Sequence, residues 1–251
     1  MIVANMASFP ARAATLEAAV TRLSEQVDQI NLCLNEFDSV PDWVESFDNL
    51  HAIIPSEDYK DIGKFIFSHR PDDLVFLVDD DLPYPMDYVE RSRVAFEALE
   101  ARNGGRIVAG YHGTIYRRFS ITRFLKDGLR GRGWRLDQAG RAKIMFPYYE
   151  GLGEARRVTQ LGTGTVIARG AHVAPLEEMR DAARRADLRY AHWCSREAIP
   201  MVALPRETGW IGNVENDEAS IFETYTRDLP PEFLEELEAF AFDVPLTGRV
   251  I

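Results

Sequence analysis

Three adjacent carboxylates, Asp79, Asp80 and Asp81, follow directly on the apolar run LVFLV at 74–78. Like charges this close repel one another unless something cationic compensates them. In an extended turn side chains alternate in direction, so Asp79 and Asp81 point the same way and offer two hard oxygen ligands. Such a pair suits magnesium or manganese, whose shell is completed by water and phosphate oxygens. Asp80 is then expected to face away, toward backbone amides. The plainer alternative is a capping and turn cluster ahead of Pro83, although a single Asp would serve that purpose.

The run LVFLV reads as a central strand buried on both faces, and in an open α/β sheet ligands gather beyond the carboxyl ends of such strands. Around it strand-like and helix-like patterns alternate, which predicts an α/β fold with a mostly parallel central sheet flanked by helices. Strands are expected at 1–7, 30–34, 51–54, 106–111, 158–161, 165–168 and 201–204. Helices are expected at 12–26, where Leu16, Ala19, Val20, Leu23 and Val27 share a face, and at 62–69, 175–186 and 188–198. A further helix, introduced by Pro83 and Pro85 and ending near 102, has Val89, Val94, Phe96 and Leu99 as candidate core positions. Residues 1–212 are read as one domain. The extension at 213–251 holds an acidic amphipathic helix from 231, with Phe233, Leu234, Leu237 and Phe240 on one face.

The 251-residue chain has an ordinary globular composition, 46% hydrophobic and 27% charged. Its net charge of −11 argues against a dedicated nucleic-acid binder, which would want a basic face. An acidic enzyme acting on an anionic substrate needs a cation at its site. Cys33 and Cys194 lie in apolar stretches and are expected as free thiols. The N-terminal MIVANMASFP lacks the basic and long apolar regions of a signal peptide, and no stretch reaches the length of a membrane span. The expectation is a cytoplasmic protein. Residues 114–157 break the alternation. Between Arg117 and Lys143 nine Lys and Arg stand against two Asp, a local +7 that leaves −18 for the rest. Such a basic insertion is usually a solvated surface. The alternative is a lid or acceptor wall meeting an anionic acceptor, or a membrane headgroup at the inner face.

Other residues are open to two readings each. Asp187 lies between two expected helices, either as a general base or as an N-cap for residues from Leu188 onward. Lys64 is either a solvated helix lysine or a phosphate ligand. His112, between Tyr111 and Gly113 at a strand end, is a candidate acceptor or metal ligand, whereas His192 reads as a structural histidine. Trp210 either stacks on a sugar or joins the core. The GTGT segment at 162–165 lacks the lysine and the context of a phosphate-binding loop.

Taken in order, ASFPAR, LNEFDSVPDW, DIGKF, LVFLVDDDLPYPMDYVER, VAGYHG, QLGTGTVIAR and ADLRYAHWCSREAIPMVALPR with Gly209-Trp210 resemble bacterial glycosyltransferases of the GT-A fold, close to the family-two group. The likeness spans about residues 2–211. What it implies is a metal-dependent hexosyltransferase of the polysaccharide-building kind, moving a sugar from a nucleotide diphosphosugar, UDP-linked, to a hydroxyl of a glycan or glycolipid. By the same resemblance Ser8, Pro10 and Arg12 lie against base and ribose, and Asp61 and Lys64 stand between nucleotide and phosphates. Asp79 and Asp81 form a DxD metal pair for Mn2+ or Mg2+, with Asp79 and Asp80 counted at the nucleotide. Gly162, Thr163 and Gly164 border the donor sugar, and Asp187 is the base of an inverting transfer.

The chain departs from the family in having Ala186-Asp187 where many members have an acidic pair, and in lacking the QxxRW-type motif of processive membrane synthases. Three rivals stay open: a retaining transferase on the same fold, a nucleotidyltransferase, and a catalytically silent glycan-binding protein. The second would carry a Gly-rich basic loop after the first strand, and ASFPAR has no glycine.

Overall fold

The computed structural model describes residues 1–118, 135–136, 141–212 and 231–242, with only the backbone described at 135, 136, 141 and 142. An eight-stranded sheet forms the centre, in the order β3-β2-β1-β4-β11-β5-β12-β9. Its strands are β1 (Ile2–Ser8), β2 (Gln29–Leu34), β3 (Leu50–Ile53), β4 (Leu74–Val78), β5 (Val108–Gly110), β9 (Arg156–Val158), β11 (Thr165–Arg169) and β12 (Met201–Ala203). From β3 to β4 neighbours run parallel, whereas β11 is antiparallel to both β4 and β5, and β9 to β12. The sheet is therefore mixed, where the alternating pattern predicted a mostly parallel one. Periodicity reports burial, and β11 (TVIAR) is as apolar as a parallel strand would be because it too lies between two neighbours.

Side-chain alternation divides the core in two. Leu74, Phe76 and Val78 of β4 face one side, packed with Leu16, Val20 and Leu23 of α1 (Ala13–Ser24) and with Tyr88, Phe96 and Leu99 of α2 (Tyr88–Arg102). Val75 and Leu77 face the other side with Val166 and Ala168. That second core is closed by α3 (Leu176–Met179), α4 (Ala186–Arg196) and α5 (Pro231–Phe240). Leu237 and Phe240 of α5 are buried there, each contributing about 1.5–3 kcal/mol by apolar burial. The helix of the C-terminal extension is thus part of a core.

Three local expectations are corrected. Val94 is 53% exposed: Ser92 takes the inner face of α2 and hydrogen-bonds the Tyr111 hydroxyl at 2.9 Å, which turns Val94 outward. The helix expected at 62–69 is a 3-10 turn, Lys60–Phe65. There Asn35, just past β2, donates to the Lys60 carbonyl and Asn5 of β1 to the Lys64 carbonyl, so side chains from the sheet's rim and interior satisfy the turn's carbonyls. The helix expected at 175–186 is the single turn α3, and Arg184, at φ +65°, breaks the path before α4 starts at Ala186.

The stretch at 114–157 contains structure that its composition conceals. β6 (Gly113–Arg118) pairs antiparallel with β8 (Arg141–Phe146) in a second, four-stranded sheet, completed by β7 (Arg135–Leu136) and β10 (Gln160–Leu161). Burial of Thr114, Ile115 and Tyr116 in succession erases the two-residue alternation by which a half-exposed strand is recognised. The rest of the basic segment, including Arg130 and Arg132, lies outside the described residues. Of its described cations, Arg118 pairs with Glu238 at 3.2 Å and covers the Phe242 ring, and Lys143 lies over Tyr116. Among the described residues no helix is long and apolar enough to cross a membrane. Cys33 and Cys194 are buried free thiols.

Candidate functional site

Strand order reverses between β1 and β4, since β2 and β3 extend one way from β1 while β4 lies on its other side. The crevice beyond the carboxyl ends of two such strands is where open α/β sheets bind ligands. Ser8 ends β1, and Asp79 follows β4.

The acidic turn is held by groups far away in sequence. Tyr84, fully buried, receives a hydrogen bond from the Asp79 amide at 2.7 Å and donates to the Gly164 carbonyl at 2.7 Å. A Cβ at Gly164 would lie 1.9 Å from Asp79 Oδ2, so only glycine leaves room for that carboxylate. Asp79 is ion-paired to Lys64, whose side chain is 3% exposed, and Lys64 Nζ also reaches the Thr163 carbonyl at 3.4 Å. Asp81 pairs with Arg12. Asp80 is buried and accepts the Ser8 hydroxyl at 2.5 Å, not the backbone amides expected for it. Burial pushes its carboxyl up to about 6. Burial, and then the neighbouring charge of Asp79, raise Asp81 as well.

Lys64 sits where it does because Gly63 lies flat on β1 and β2. A Cβ at Gly63 would stand 2.8 Å from Cys33 Sγ and 3.1 Å from Ala7 Cβ. Beneath the turn, Asn5 and Asn31 face each other across β1 and β2, joined at 3.0 Å, and Asn5 carries the Lys64 carbonyl at 2.8 Å.

The opposite wall is the start of α4. Asp187 does not cap that helix, which begins one residue earlier and receives no cap from the side chain of its own N-cap residue, Arg185. Asp187 Oδ1 accepts both the Thr163 amide at 2.8 Å and the Thr163 hydroxyl at 2.6 Å. Burial pushes the Asp187 carboxyl above the ordinary carboxylate range, against the pull of those two hydrogen bonds. Capping falls to Asp61, which accepts the Ala186 amide at 3.0 Å and the Arg184 amide, and which burial raises to about 6.

Ser8, Arg12, Asp61, Lys64, Asp79, Asp80, Asp81, Thr163 and Asp187 therefore belong to one connected cluster of hydrogen bonds and charges at the carboxyl ends of β1 and β4. Gly162 adjoins it, its amide bonded to the His112 carbonyl at 2.8 Å. The His112 ring lies against Gly162 and 5.9 Å from that of Tyr148, and burial lowers its pKa to about 4. Pro10 is exposed at the head of a 3-10 turn, Pro10–Arg12, that delivers Arg12. Among the described residues no group of three or more His, Cys, Asp or Glu is placed to hold a metal ion, so Asp79, Asp81 and His112 do not form a ready three-ligand set. Trp210 stacks on Tyr88, bonds Asp87 through its indole N–H at 3.0 Å and lies under Arg91, a core role. His192 is structural, stacked on Phe240.

Sequence reasoning missed the positioning groups Tyr84, Asn5, Asn31, Asn35 and Thr165. Two left a signal, since Asn5 and Asn31 interrupt apolar strands and a buried amide demands partners. Thr165 Oγ1 accepts the amides of Tyr111 and His112, each at 3.1 Å.

No protein-family model matches the chain, and no curated protein matches it. Among solved structures, the crystal structure of mannose-6-phosphate isomerase from Helicobacter pylori is similar over 82% of this chain and 87% of its own, with a TM-score of 0.37 and 9% identity, too slight a likeness to carry an argument.

Proposed function

We propose that the chain is a metal-dependent glycosyltransferase of the GT-A type, moving a sugar from a nucleotide diphosphosugar, UDP-linked, to a glycan or glycolipid hydroxyl with inversion. The observation that carries this reading is the Asp79–Asp81 turn facing Lys64, Arg12 and the Thr163–Asp187 pair across the crevice at the strand-order reversal. The parallel run β3-β2-β1-β4 followed by a reversed β11 is compatible with it.

The donor set fits magnesium or manganese. Asp79 and Asp81 are hard oxygen ligands, and such ions need only one or two carboxylates when substrate phosphates supply the rest. Five carboxylates, Asp61, Asp79, Asp80, Asp81 and Asp187, share the crevice with two cations, Arg12 and Lys64, which leaves negative charge for a cation to neutralise. When bound, the ion supplies Lewis-acid stabilisation of the departing diphosphate. Lys64 and Arg12 orient the phosphates. Thr163 fixes one oxygen of Asp187, and Oδ2, which meets no donor among the described residues, accepts the proton of the acceptor hydroxyl. A carboxylate raised above its ordinary range is a stronger base for that transfer.

Calorimetry with UDP in manganese and in excess chelator tests the reading: affinity should require the ion. Equal affinity in both would overturn it, and anomeric analysis of product separates inversion from retention.

A further inference from the structure

The Lys64 turn is carried from below by a buried amide that ends on a histidine. Asn5 of β1 is fully buried, and its amide nitrogen stands 2.8 Å from the Lys64 carbonyl and 2.9 Å from His69 Nε2. We propose that His69 is a positioning residue of the site: as a neutral acceptor at Nε2 it holds Asn5, Asn5 holds the Lys64 turn, and protonation of the ring releases both. The proposal rests on the reading above only in treating the Lys64–Asp79 pair as part of a ligand site.

The tautomer follows from the main chain. A carbonyl oxygen only accepts, so the Asn5 atom facing Lys64 must be the nitrogen. The Asn5 oxygen is left for Asn31, whose amide donates to it at 3.0 Å. The Asn5 nitrogen carries two N–H groups. One goes to Lys64 and the other to His69, so Nε2 must offer a lone pair and the ring proton must sit on Nδ1. An imidazolium donates from both nitrogens and cannot accept. Turning Asn5 over would set its oxygen against the Lys64 carbonyl. Leaving its N–H without an acceptor would orphan a buried donor.

The backbone behind the ring is fixed. A Cβ at Gly170 would lie 2.8 Å from His69 Cβ and 2.1 Å from the Arg70 carbonyl, so the main chain at 69–70 lies directly on Gly170. The Gly170 amide bonds the Asp73 carbonyl at 2.8 Å, and the Ala171 amide the Pro71 carbonyl at 3.1 Å. The conflict created by protonation therefore falls on Asn5 and the Lys64 turn, and Lys64 is the partner of Asp79.

Few charges face the ring. β1 presents neutral Asn5, the turn presents the Lys64 main chain, and Arg70 beside it is exposed. Asp73 draws a proton toward His69 and is itself paired with the Met1 ammonium at 3.0 Å. Burial outweighs Asp73 and lowers the His69 pKa. A group that resists its proton in the folded state contributes stability that is present above the ordinary histidine value of about 6.5 and is lost as pH falls below it.

Nuclear magnetic resonance on the ligand-free protein is the test. Two-bond 1H–15N spectra should place the His69 proton on Nδ1 at neutral pH, with a titration midpoint below that of an ordinary histidine. The buried Lys64 ammonium gives a 15Nζ resonance of its own, which should shift over the same pH range as His69. In His69→Gln, whose side-chain oxygen accepts without titrating, that resonance should keep its neutral-pH position and lose most of its shift. A proton on Nε2 in wild type at neutral pH overturns the proposal, and this measurement needs no variant to fold. So does a Lys64 resonance that follows pH alike in wild type and His69→Gln. Both signatures, found together with a UDP affinity that ignores manganese, would keep His69 in this role and overturn the metal-dependent reading.

Discussion

Two charged clusters flank α4 and are built in opposite proportions. At its start five carboxylates face two cations. On its outer face one carboxylate, Glu236 of α5, receives Arg185 at 3.1 Å, Arg189, and His192 Nδ1 at 3.3 Å. Glu236 is 8% exposed, and its cations have further acceptors in the carbonyls of Asp181 and Glu178. The second cluster is complete within the chain, and its effect is to fasten α5 to α4. The first has carboxylates in excess, two of them pushed up to about 6 by burial. The excess cations of the second cluster find their remaining acceptors in main-chain carbonyls of the chain itself, whereas on the proposed reading the carboxylate excess of the first is left for a ligand to neutralise.

Gly164→Ala should break the first cluster outright. A Cβ 1.9 Å from Asp79 Oδ2 drives that carboxylate off Lys64, and UDP affinity in manganese should fall on the order of a hundredfold or more. Calorimetry checks this, and near-normal affinity would mean that Asp79 is not a ligand where it stands. Asp187→Asn keeps its Thr163 contacts but cannot take a proton, so turnover should fall on the order of a hundredfold with donor affinity nearly intact. A lowered melting temperature with unchanged turnover per folded molecule would reassign Asp187 to structure.

Glu236→Leu addresses the second cluster. Chemical denaturation should show a loss of about 2–3 kcal/mol, with UDP affinity unchanged because no ligand closes that charge balance. A loss near zero would place the pair with exposed salt bridges.

The smallest effect concerns Asp61. Its folded pKa of about 6 lies above the ordinary carboxylate value, so the folded state holds its proton more tightly. Its contribution to stability therefore declines as pH rises from about 4 to about 6 and is level above that. Stability measured against pH should decline less across this window in Asp61→Asn, by on the order of 1–2 kcal/mol after allowance for partial exposure. Parallel profiles would show that Asp61 ionises freely.

What the sequence by itself determined are the features whose cause is local. LVFLV is buried on both faces wherever it pairs, α1 carries its apolar stripe in its own spacing, and three adjacent aspartates demand compensation in any fold. The tertiary structure decided which groups meet those demands. Asp79 finds Lys64 fifteen residues away, Asp187 finds Thr163 at twenty-four, and the start of α4 finds its cap in Asp61 at one hundred and twenty-five. Each of these partners is an ordinary residue in its own segment. Beyond the family resemblance, Lys64 stays open between a solvated helix lysine and a phosphate ligand, and Asp61 carries no signal of its own, until β1, β4 and α4 bring them together. The mixed sheet was hidden for the same reason, since apolar periodicity records that a strand is buried and not the direction in which its neighbour runs. Burial is written in one segment at a time, whereas pairing is a property of two.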